Sequence, residues 1–213
     1  MKIGSVELLN IDCMEYLKTV PDKHFDLAIV DPPYGIGAGS INFKNGTSKN
    51  EIGYKEKDWD TTIPNEAYFN EIKRVSKHQI VWGGNYFGYL WPCRGYIIWD
   101  KGTGENSYAD CELAWSSIDS VSKMYSKSWV GANAKDKDGR YHPTQKPISL
   151  YKWLLKTYAK EGDKILDTHL GSGSIAIACH DYKFDLTGCE IDSDYYNAAV
   201  KRLQNHVAQT VLF

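Results

Sequence analysis

Residues 164–205 constrain the fold most, because two strand-like runs and two helical patterns alternate there around a glycine-rich loop. The order is strand, loop, helix, strand and helix, at 164–167, 167–174, 174–180, 184–190 and 195–205. Glycines directly after a buried strand let the backbone approach a ligand closely, and the next helix offers free N–H groups to an anion. The unit therefore predicts a nucleotide-type ligand site on a mainly parallel α/β sheet.

The second strand of this unit ends in acidic residues. Glu190 stands where a carboxylate can accept hydrogen bonds from both hydroxyls of an adenosine ribose, and Asp192 follows it. Gly171-Ser-Gly173 alone is a weak signal, since ordinary turns satisfy it. The loop is not the dinucleotide G-x-G-x-x-G motif, because Ile175 and Ala176 follow Ser174. It is not a P-loop either, because no Gly-Lys-Ser/Thr follows.

The rest of the chain continues the alternation of short apolar runs and helical patterns. Strands are predicted at 6–11, 27–30, 79–82, 96–99 and 112–116, and helices at 12–20, 65–75 and 147–158. With 213 residues, of which 42% are hydrophobic and 24% charged, the chain is predicted to form one domain with a sizeable core. Its net charge of -2 means that any nucleic-acid partner must be held by local basic patches.

The cysteines and the N-terminus argue against several other classes of protein. Cysteines at 13, 93, 111, 179 and 189 show neither CxxC spacing nor nearby paired histidines, so we expect reduced thiols and no metal site. No apolar stretch approaches the length of a membrane span, and the N-terminus shows no cleavage-site pattern. We therefore expect a cytoplasmic protein with no membrane partner.

A second chemical motif stands at the end of the apolar run Leu27 to Val30. Asp31-Pro-Pro-Tyr34 brings together one carboxylate, two prolines that lack N–H groups, and one aromatic ring. The oxygen atoms of this motif can accept both hydrogens of an exocyclic amine while Tyr34 stacks on the base plane. A strand-ending turn, in which Asp and Pro are common, explains the same residues equally well.

Five blocks of the chain follow one another in a defined order. They are Asp31-Pro-Pro-Tyr34, Trp82-Gly-Gly-Asn85, Glu112-Leu-Ala-Trp115, His142-Pro-Thr-Gln-Lys-Pro147, and Asp167 with Leu170-Gly-Ser-Gly173. In this order they resemble the amino-group DNA methyltransferases, which methylate adenine N6 or cytosine N4, in their permuted β-type. The resemblance implies a single Rossmann-like methyltransferase domain over 1–213, with a mostly parallel seven-stranded sheet flanked by helices and a permuted strand order. It also implies that the strand tips at Asp31 and Asp167 are neighbours.

The resemblance further implies S-adenosylmethionine as the cofactor. The implied contacts are Asp12, Cys13, Asp31, His142, Thr144, Lys146, Asp167, His169, Leu170, Gly171, Ser172, Gly173, Ser174, Glu190, Ile191 and Asp192. The family commonly has Pro-Phe where this chain has Thr168-His169, and we interpret His169 as a packed or capped histidine rather than a proton carrier. For Asp12, capping of the following helix is an equally good explanation.

For catalysis the resemblance implies Asp31, Pro32, Pro33 and Tyr34. Hydrogen bonds from an amino group to the Asp31 carboxylate and the Pro32 carbonyl would localise the nitrogen lone pair, so direct in-line transfer to a flipped-out base is expected. A mobile loop at 35–62 is expected to close over the base. Asp before Pro-Pro-Tyr favours adenine N6. Cytosine N4 methylation and an inactive DNA-binding homologue are the alternatives.

Double-stranded DNA is the expected partner, held by local basic and aromatic residues. The candidates are Lys44, Lys49, Lys55, Lys57, Lys123, Lys127, Trp129 and Arg140. Solvated loop charges, and core packing of Trp129, explain the same residues without DNA. A short target-recognition segment is expected at 116–141, with a homodimer and a place in a restriction-modification system as further expectations.

The last five residues, Gln209-Thr-Val-Leu-Phe213, resemble a different binding motif. This is the Gln-x-x-Leu-Phe peptide by which bacterial replication proteins bind the sliding clamp, although the usual Leu after Gln is Thr210 here. A hydrophobic tail that folds onto the domain is the favoured interpretation, and clamp binding is the alternative.

Overall fold

The structure of the protein, a computed structural model, describes residues 1–38, 57–90, 92–103, 109–129 and 139–210. These residues form nine strands and five helices. The strands are β1 (Lys2–Ile3), β2 (Val6–Asn10), β3 (Phe25–Val30), β4 (Ser76–Trp82), β5 (Ile97–Asp100), β6 (Cys111–Ser116), β7 (Lys123–Ser126), β8 (Lys164–Asp167) and β9 (Asp185–Glu190). The helices are α1 (Cys13–Leu17), α2 (Glu66–Val75), α3 (Ile148–Tyr158), α4 (Ser174–Tyr182) and α5 (Ser193–Thr210). None of the helices in the described ranges is long and apolar enough to cross a membrane.

All nine strands form one sheet, in the order β1-β2-β9-β8-β3-β4-β6-β5-β7. The five strands from β2 to β4 in this order are parallel, whereas β6 runs antiparallel to both β4 and β5. The sheet is therefore mostly parallel, and its strand order departs from the order in the chain because β9 and β8 lie between β2 and β3. The expected Rossmann-like fold with permuted strand order is confirmed.

The expected number of seven strands is wrong, because two further strands lie at the edges of the sheet. β1 has only two residues and pairs antiparallel with β2. β7 pairs parallel with β5, and three of its four residues are exposed. Edge strands of this kind bury little apolar surface, so they leave no periodic hydrophobic pattern in the sequence.

The sheet is buried on both faces. Along β3, Leu27 and Ile29 belong to one core cluster while Ala28 and Val30 belong to the other, as expected for alternating side chains. The first cluster includes residues of α3, α4 and α5, and the second includes residues of α1 and α2. Burial on both faces explains why β3 reads as a continuous apolar run.

The topology brings two sequence-distant motifs together. β3 and β8 are parallel neighbours, with Leu27 opposite Ile165 and Ala28 opposite Leu166. β3 ends one residue before Asp31, and β8 ends at Asp167. Since ligands bind at the carboxyl ends of parallel strands in such sheets, the crevice between these two strand ends is the candidate site.

Candidate active site

A buried carboxylate holds the turn that follows β3. The side chain of Asp60, only 2% exposed, accepts hydrogen bonds from the backbone N–H groups of Tyr34 (2.6 Å), Gly35 (2.9 Å) and Ala38 (2.7 Å). Asp60 is not among the residues that the sequence predicts for the site, because an aspartate next to Thr61 resembles an ordinary loop residue. The turn of the Asp31-Pro-Pro-Tyr34 motif is therefore fixed from outside its own segment.

The Asp31 carboxylate takes part in a run of alternating charges. Its Oδ1 accepts a hydrogen bond from the Tyr34 hydroxyl at 2.6 Å, and its Oδ2 lies 2.6 Å from Lys146 Nζ. Lys146 Nζ is also 3.0 Å from Glu112 Oε2, and Glu112 Oε1 is 2.6 Å from Lys101 Nζ. The Lys146 side chain is only 1% exposed, so its ammonium group is shared by two carboxylates away from bulk water.

The electrostatics of this run follow from burial and pairing. Burial raises the pKa of Asp31, and the neighbouring Lys146 opposes that rise. Burial alone would also raise the pKa of Glu112, but Lys146 and Lys101 hold it at about 2. Burial disfavours the charged form of Lys146, yet the two carboxylates raise its pKa. The run therefore holds a charged lysine between an ionised glutamate and the motif aspartate.

The Tyr34 ring is held by aromatic neighbours and by a glycine. It stacks on Tyr86 with a centroid separation of 5.0 Å and an interplanar angle of 13°, and Phe87 meets it at an angle of 70°. Gly83 has a φ of 70°, and a side chain there would overlap the Tyr34 ring. The Trp82-Gly-Gly-Asn85 block thus provides the close backbone approach that seats the ring.

The glycine loop after β8 is held mainly by two side chains. Glu190 Oε2 accepts the N–H of Gly171 at 2.8 Å, and its Oε1 accepts the N–H of Asp192 at 2.9 Å. Arg202, which is 1% exposed, donates from Nη1 to the Ser172 carbonyl at 3.0 Å and to Ser174 Oγ at 2.9 Å. Arg202 was missed, since an arginine in a helical pattern is normally solvated.

Burial also shapes the acids of this loop. It raises the pKa of Asp167 to about 8, although the backbone N–H of His169 donates to that carboxylate and lowers it. Burial raises the pKa of Glu190 as well, against the two backbone N–H groups that it accepts. A cation placed beside either acid would favour the ionised form, so this end of the crevice suits a positively charged ligand.

The His142 block packs against the glycine loop. The His142 ring lies 4.4 Å from the Tyr195 ring and 5.0 Å from the Trp59 ring between centroids, and its Nδ1 is 3.1 Å from Thr144 Oγ1. Burial lowers the pKa of His142 to about 3, so the imidazole is neutral. Gly171 lies beside this ring. The structure thus brings His142 and Thr144 to the predicted cofactor loop.

Other predicted cofactor residues have local structural roles or different settings. Asp12 Oδ1 caps α1 by accepting the N–H of Met14 at 2.7 Å, as the alternative explanation has it, and Cys13 follows it as the first residue of that helix. His169 Nδ1 lies 2.9 Å from Thr168 Oγ1, and burial lowers the pKa of His169 to about 4. Leu170 is buried, whereas Ile191 is 68% exposed.

The predicted DNA contacts are dispersed. Lys44, Lys49 and Lys55 lie outside the described residues. Lys57 Nζ contacts Asp192 Oδ1 at 2.6 Å, Lys123 is exposed on β7, and Lys127 Nζ donates to Ser149 Oγ at 2.9 Å. The Arg140 guanidinium donates to the carbonyls of His142 and Pro143. These contacts place Lys57 and Arg140 beside the cofactor blocks.

The prediction that Trp129 contacts DNA requires a correction. Its side chain is 7% exposed, its ring meets Trp99 at 65°, and its Nε1 donates to the Gln145 carbonyl at 2.9 Å. These contacts place the ring in the core rather than on a DNA-facing surface.

Within the C-terminal motif, α5 extends to Thr210, and residues 211–213 lie outside the described part of the chain.

Comparisons with known proteins agree with this geometry. A family model described as DNA methylase matches residues 98–201. The type II methyltransferase M.HpaI of Haemophilus parainfluenzae is 24% identical over 237 residues, covering 93% of this chain and 74% of that protein. These matches, with the ordered motifs, show that the chain is similar to the amino-group DNA methyltransferases.

Solved structures share the fold at low sequence identity. The M1.HpyAVI complex with SAM aligns with a TM-score of 0.60 at 19% identity, covering 93% of this chain and 100% of that chain. The cytosine-N4-specific PvuII DNA methyltransferase aligns with a TM-score of 0.56 at 14% identity, covering 98% of this chain and 95% of that chain. The same fold is therefore found in a protein that methylates cytosine N4.

Proposed function

We propose that this protein is an S-adenosylmethionine-dependent DNA methyltransferase that modifies the N6 amino group of adenine in double-stranded DNA. The observation that carries the proposal is the adjacency of β3 and β8, which places the Asp31 turn beside the glycine loop. One strand end presents acceptors for an amino group and the other presents a ligand loop with acidic residues. The family match supports methyl transfer to an exocyclic amine of DNA.

The residues of the glycine-loop end fit S-adenosylmethionine, which supplies a methyl group bonded to a positively charged sulfur. Asp31, Asp167 and Glu190 give the crevice an acidic lining that suits a cationic ligand. Each Glu190 oxygen accepts one backbone N–H, which leaves lone pairs free to accept ribose hydroxyls. The SAM complex of M1.HpyAVI and the SAM complex of TTHA0409, both of this fold, support the same cofactor.

The Asp31 end would position the target nitrogen. The lone pair of an exocyclic amino group is delocalised into the base, so the nitrogen is a weak nucleophile. The Asp31 carboxylate and the Pro32 carbonyl accept its two hydrogens, and this favours a pyramidal nitrogen whose lone pair points toward the methyl group. No covalent intermediate with the enzyme is required. Pro33 fixes the backbone that places the Tyr34 ring.

The base must leave the duplex to reach this site, because its amino group is otherwise occupied in base pairing. Tyr34 offers a ring for the extruded base to stack on. In the structure this ring already stacks on Tyr86, which is 44% exposed. A base entering the site would exchange with Tyr86 or extend the stack.

The proposal is tested by the identity of the methylated nucleoside. The protein is incubated with methyl-labelled S-adenosylmethionine and unmethylated genomic DNA, and the DNA is digested to nucleosides. Label in N6-methyldeoxyadenosine supports the proposal. Label in N4-methyldeoxycytidine would show that cytosine N4 is the target instead. This outcome is tested because the cytosine-N4-specific PvuII enzyme has the same fold. Absence of label would support an inactive DNA-binding homologue.

A further inference from the structure

The four side chains Lys101, Glu112, Lys146 and Asp31 form a linear array of alternating charge, which we name the charge array. Its three links measure 2.6 Å, 3.0 Å and 2.6 Å between the nitrogen and oxygen atoms. Lys101 directly follows β5, Glu112 lies on β6, Lys146 belongs to the His142 block, and Asp31 follows β3. Four separate segments thus converge on the proposed catalytic carboxylate.

Stability alone is a weak reason for such an array. A buried ion pair loses hydration that its mutual attraction barely offsets, so apolar residues of similar size are often as stable. The Lys146 side chain is 1% exposed, and those of Asp31 and Glu112 are 17% and 22% exposed. The array ends on the atom pair Lys146 Nζ and Asp31 Oδ2, at the point where the amino group is proposed to bind.

We propose that Lys146 is a positioning residue that orients the Asp31 carboxylate and keeps it ionised, while Glu112, itself held by Lys101, keeps Lys146 in place. This inference rests on the proposed function, and it gives Lys146 a role other than the expected contact with the cofactor. An ionised carboxylate is a better acceptor for amino hydrogens than a carboxylic acid. Fixing one oxygen by Lys146 leaves the carboxylate in one orientation.

The charges around Asp31 predict the sign of each substitution. Besides Lys146, the titratable groups facing Asp31 are Tyr34 of its own turn, Glu112 of β6, Asp167 of β8, Tyr68 of α2 and Tyr151 of α3. Lys146 favours the ionised form of Asp31, whereas the carboxylate of Glu112 disfavours it. Removing the two charges one at a time should therefore move the titration of Asp31 in opposite directions, which loss of packing alone would not do.

The experiment measures the single-turnover rate of methyl transfer against pH, with saturating cofactor and DNA. Lys146→Met should move the acid limb of the profile to higher pH by about one unit or more, and Glu112→Gln should move it to lower pH. Lys146→Arg keeps the charge and should restore most of the wild-type profile. Lys152→Met is the matched control, since Lys152 of α3 pairs with Asp181 of α4 (2.6 Å) and does not belong to the charge array, so its profile should coincide with that of the wild type.

A second readout does not depend on activity. In protein with carbon-13-labelled aspartate, the Asp31 carboxyl resonance is titrated in the wild type and in both variants, and the same opposite displacements are expected. Coincident titrations, or displacements in the same direction, would overturn the inference. If Lys146→Met does not fold, Glu112→Gln decides, because an Asp31 titration at or above the wild-type midpoint contradicts the account. Failure of the proposed function is a separate outcome, in which the wild type transfers no methyl group although the titrations are displaced.

Discussion

The groups that hold Gly171 come from within the 164–205 unit, whereas the charged group that pairs with Asp31 comes from a distant segment. We call these two parts of the site the glycine-loop end and the Asp31 end. At the glycine-loop end, Glu190 and Arg202 bind backbone and hydroxyl groups of the loop. At the Asp31 end, Lys146 lies 115 residues from the aspartate in sequence, and its contact is between charges.

This difference predicts separate roles for the two ends of the site. Hydrogen bonds to a loop backbone fix the shape of a ligand site, and they change little with the chemistry of the reacting group. Paired charges around one carboxylate set its orientation and its ionisation, which affect the reacting nitrogen directly. Substitutions at the glycine-loop end should therefore weaken cofactor binding, and substitutions at the Asp31 end should slow transfer by the saturated enzyme.

The largest effect is expected from Asp31→Asn. The amide retains the shape but presents N–H donors where amino hydrogens must be accepted, so the single-turnover rate should fall by about 10³-fold. Cofactor affinity, measured by calorimetry, should change little. Asp26→Asn is the matched control, because Asp26 lies near the start of β3, the strand that Asp31 follows, and pairs there with Lys77. A rate for Asp31→Asn within tenfold of the wild type would contradict the role assigned to Asp31.

A smaller loss is expected from Gly83→Ala. The new methyl group would overlap the Tyr34 ring, so the ring must move away from the base position, and such a displacement costs about 10²-fold in rate. Gly4→Ala is the control, since Gly4 also has a positive φ of 57° but has open space around its Cα. That variant should lose about 1 kcal/mol of stability and no activity. Equal rates for the two variants would refute the packing argument.

The smallest effect concerns pH and the His169 ring. Burial lowers the pKa of His169 to about 4, against about 6.5 in an unfolded chain. Between these values the unfolded chain binds a proton that the folded protein does not, so stability falls as pH drops from about 6.5 to 4. His169→Phe should lose this dependence and gain about 1 kcal/mol relative to the wild type between pH 7 and 5.5, measured by urea unfolding. Parallel stability curves for the two proteins would show that His169 does not titrate as described.

The glycine-loop end, whose contacts are local, is also the part of the site that the sequence predicts best. β8 was predicted to the residue, and β9 begins one residue later than expected. α5 begins at Ser193 rather than Tyr195, because Asp192 Oδ1 accepts the N–H groups of Asp194 and Tyr195 and so caps the helix earlier. These features depend on local patterns, which a sequence displays directly.

The Asp31 end was only partly predictable. The motif residues Asp31 to Tyr34 were identified, but the contacts made by Asp60 and Glu112 were not, because they join segments that no local pattern relates. Lys146 was assigned to the cofactor by resemblance, and its ion pair with Asp31 emerges only when β3 and the His142 block are placed side by side. Tertiary pairing of charges has no periodicity from which it could be inferred.

The most direct test of the division between the two ends is a cofactor titration of the transfer rate in two variants. Glu190→Gln replaces one carboxylate oxygen by an NH2 group, so the N–H of either Gly171 or Asp192 loses its acceptor. The affinity for S-adenosylmethionine should therefore fall by about tenfold. Its rate should nevertheless rise to the wild-type plateau as the cofactor concentration increases. Asp31→Asn should remain near its low plateau at every concentration. Rescue of Asp31→Asn by excess cofactor, or a plateau equally low for Glu190→Gln, would contradict the account.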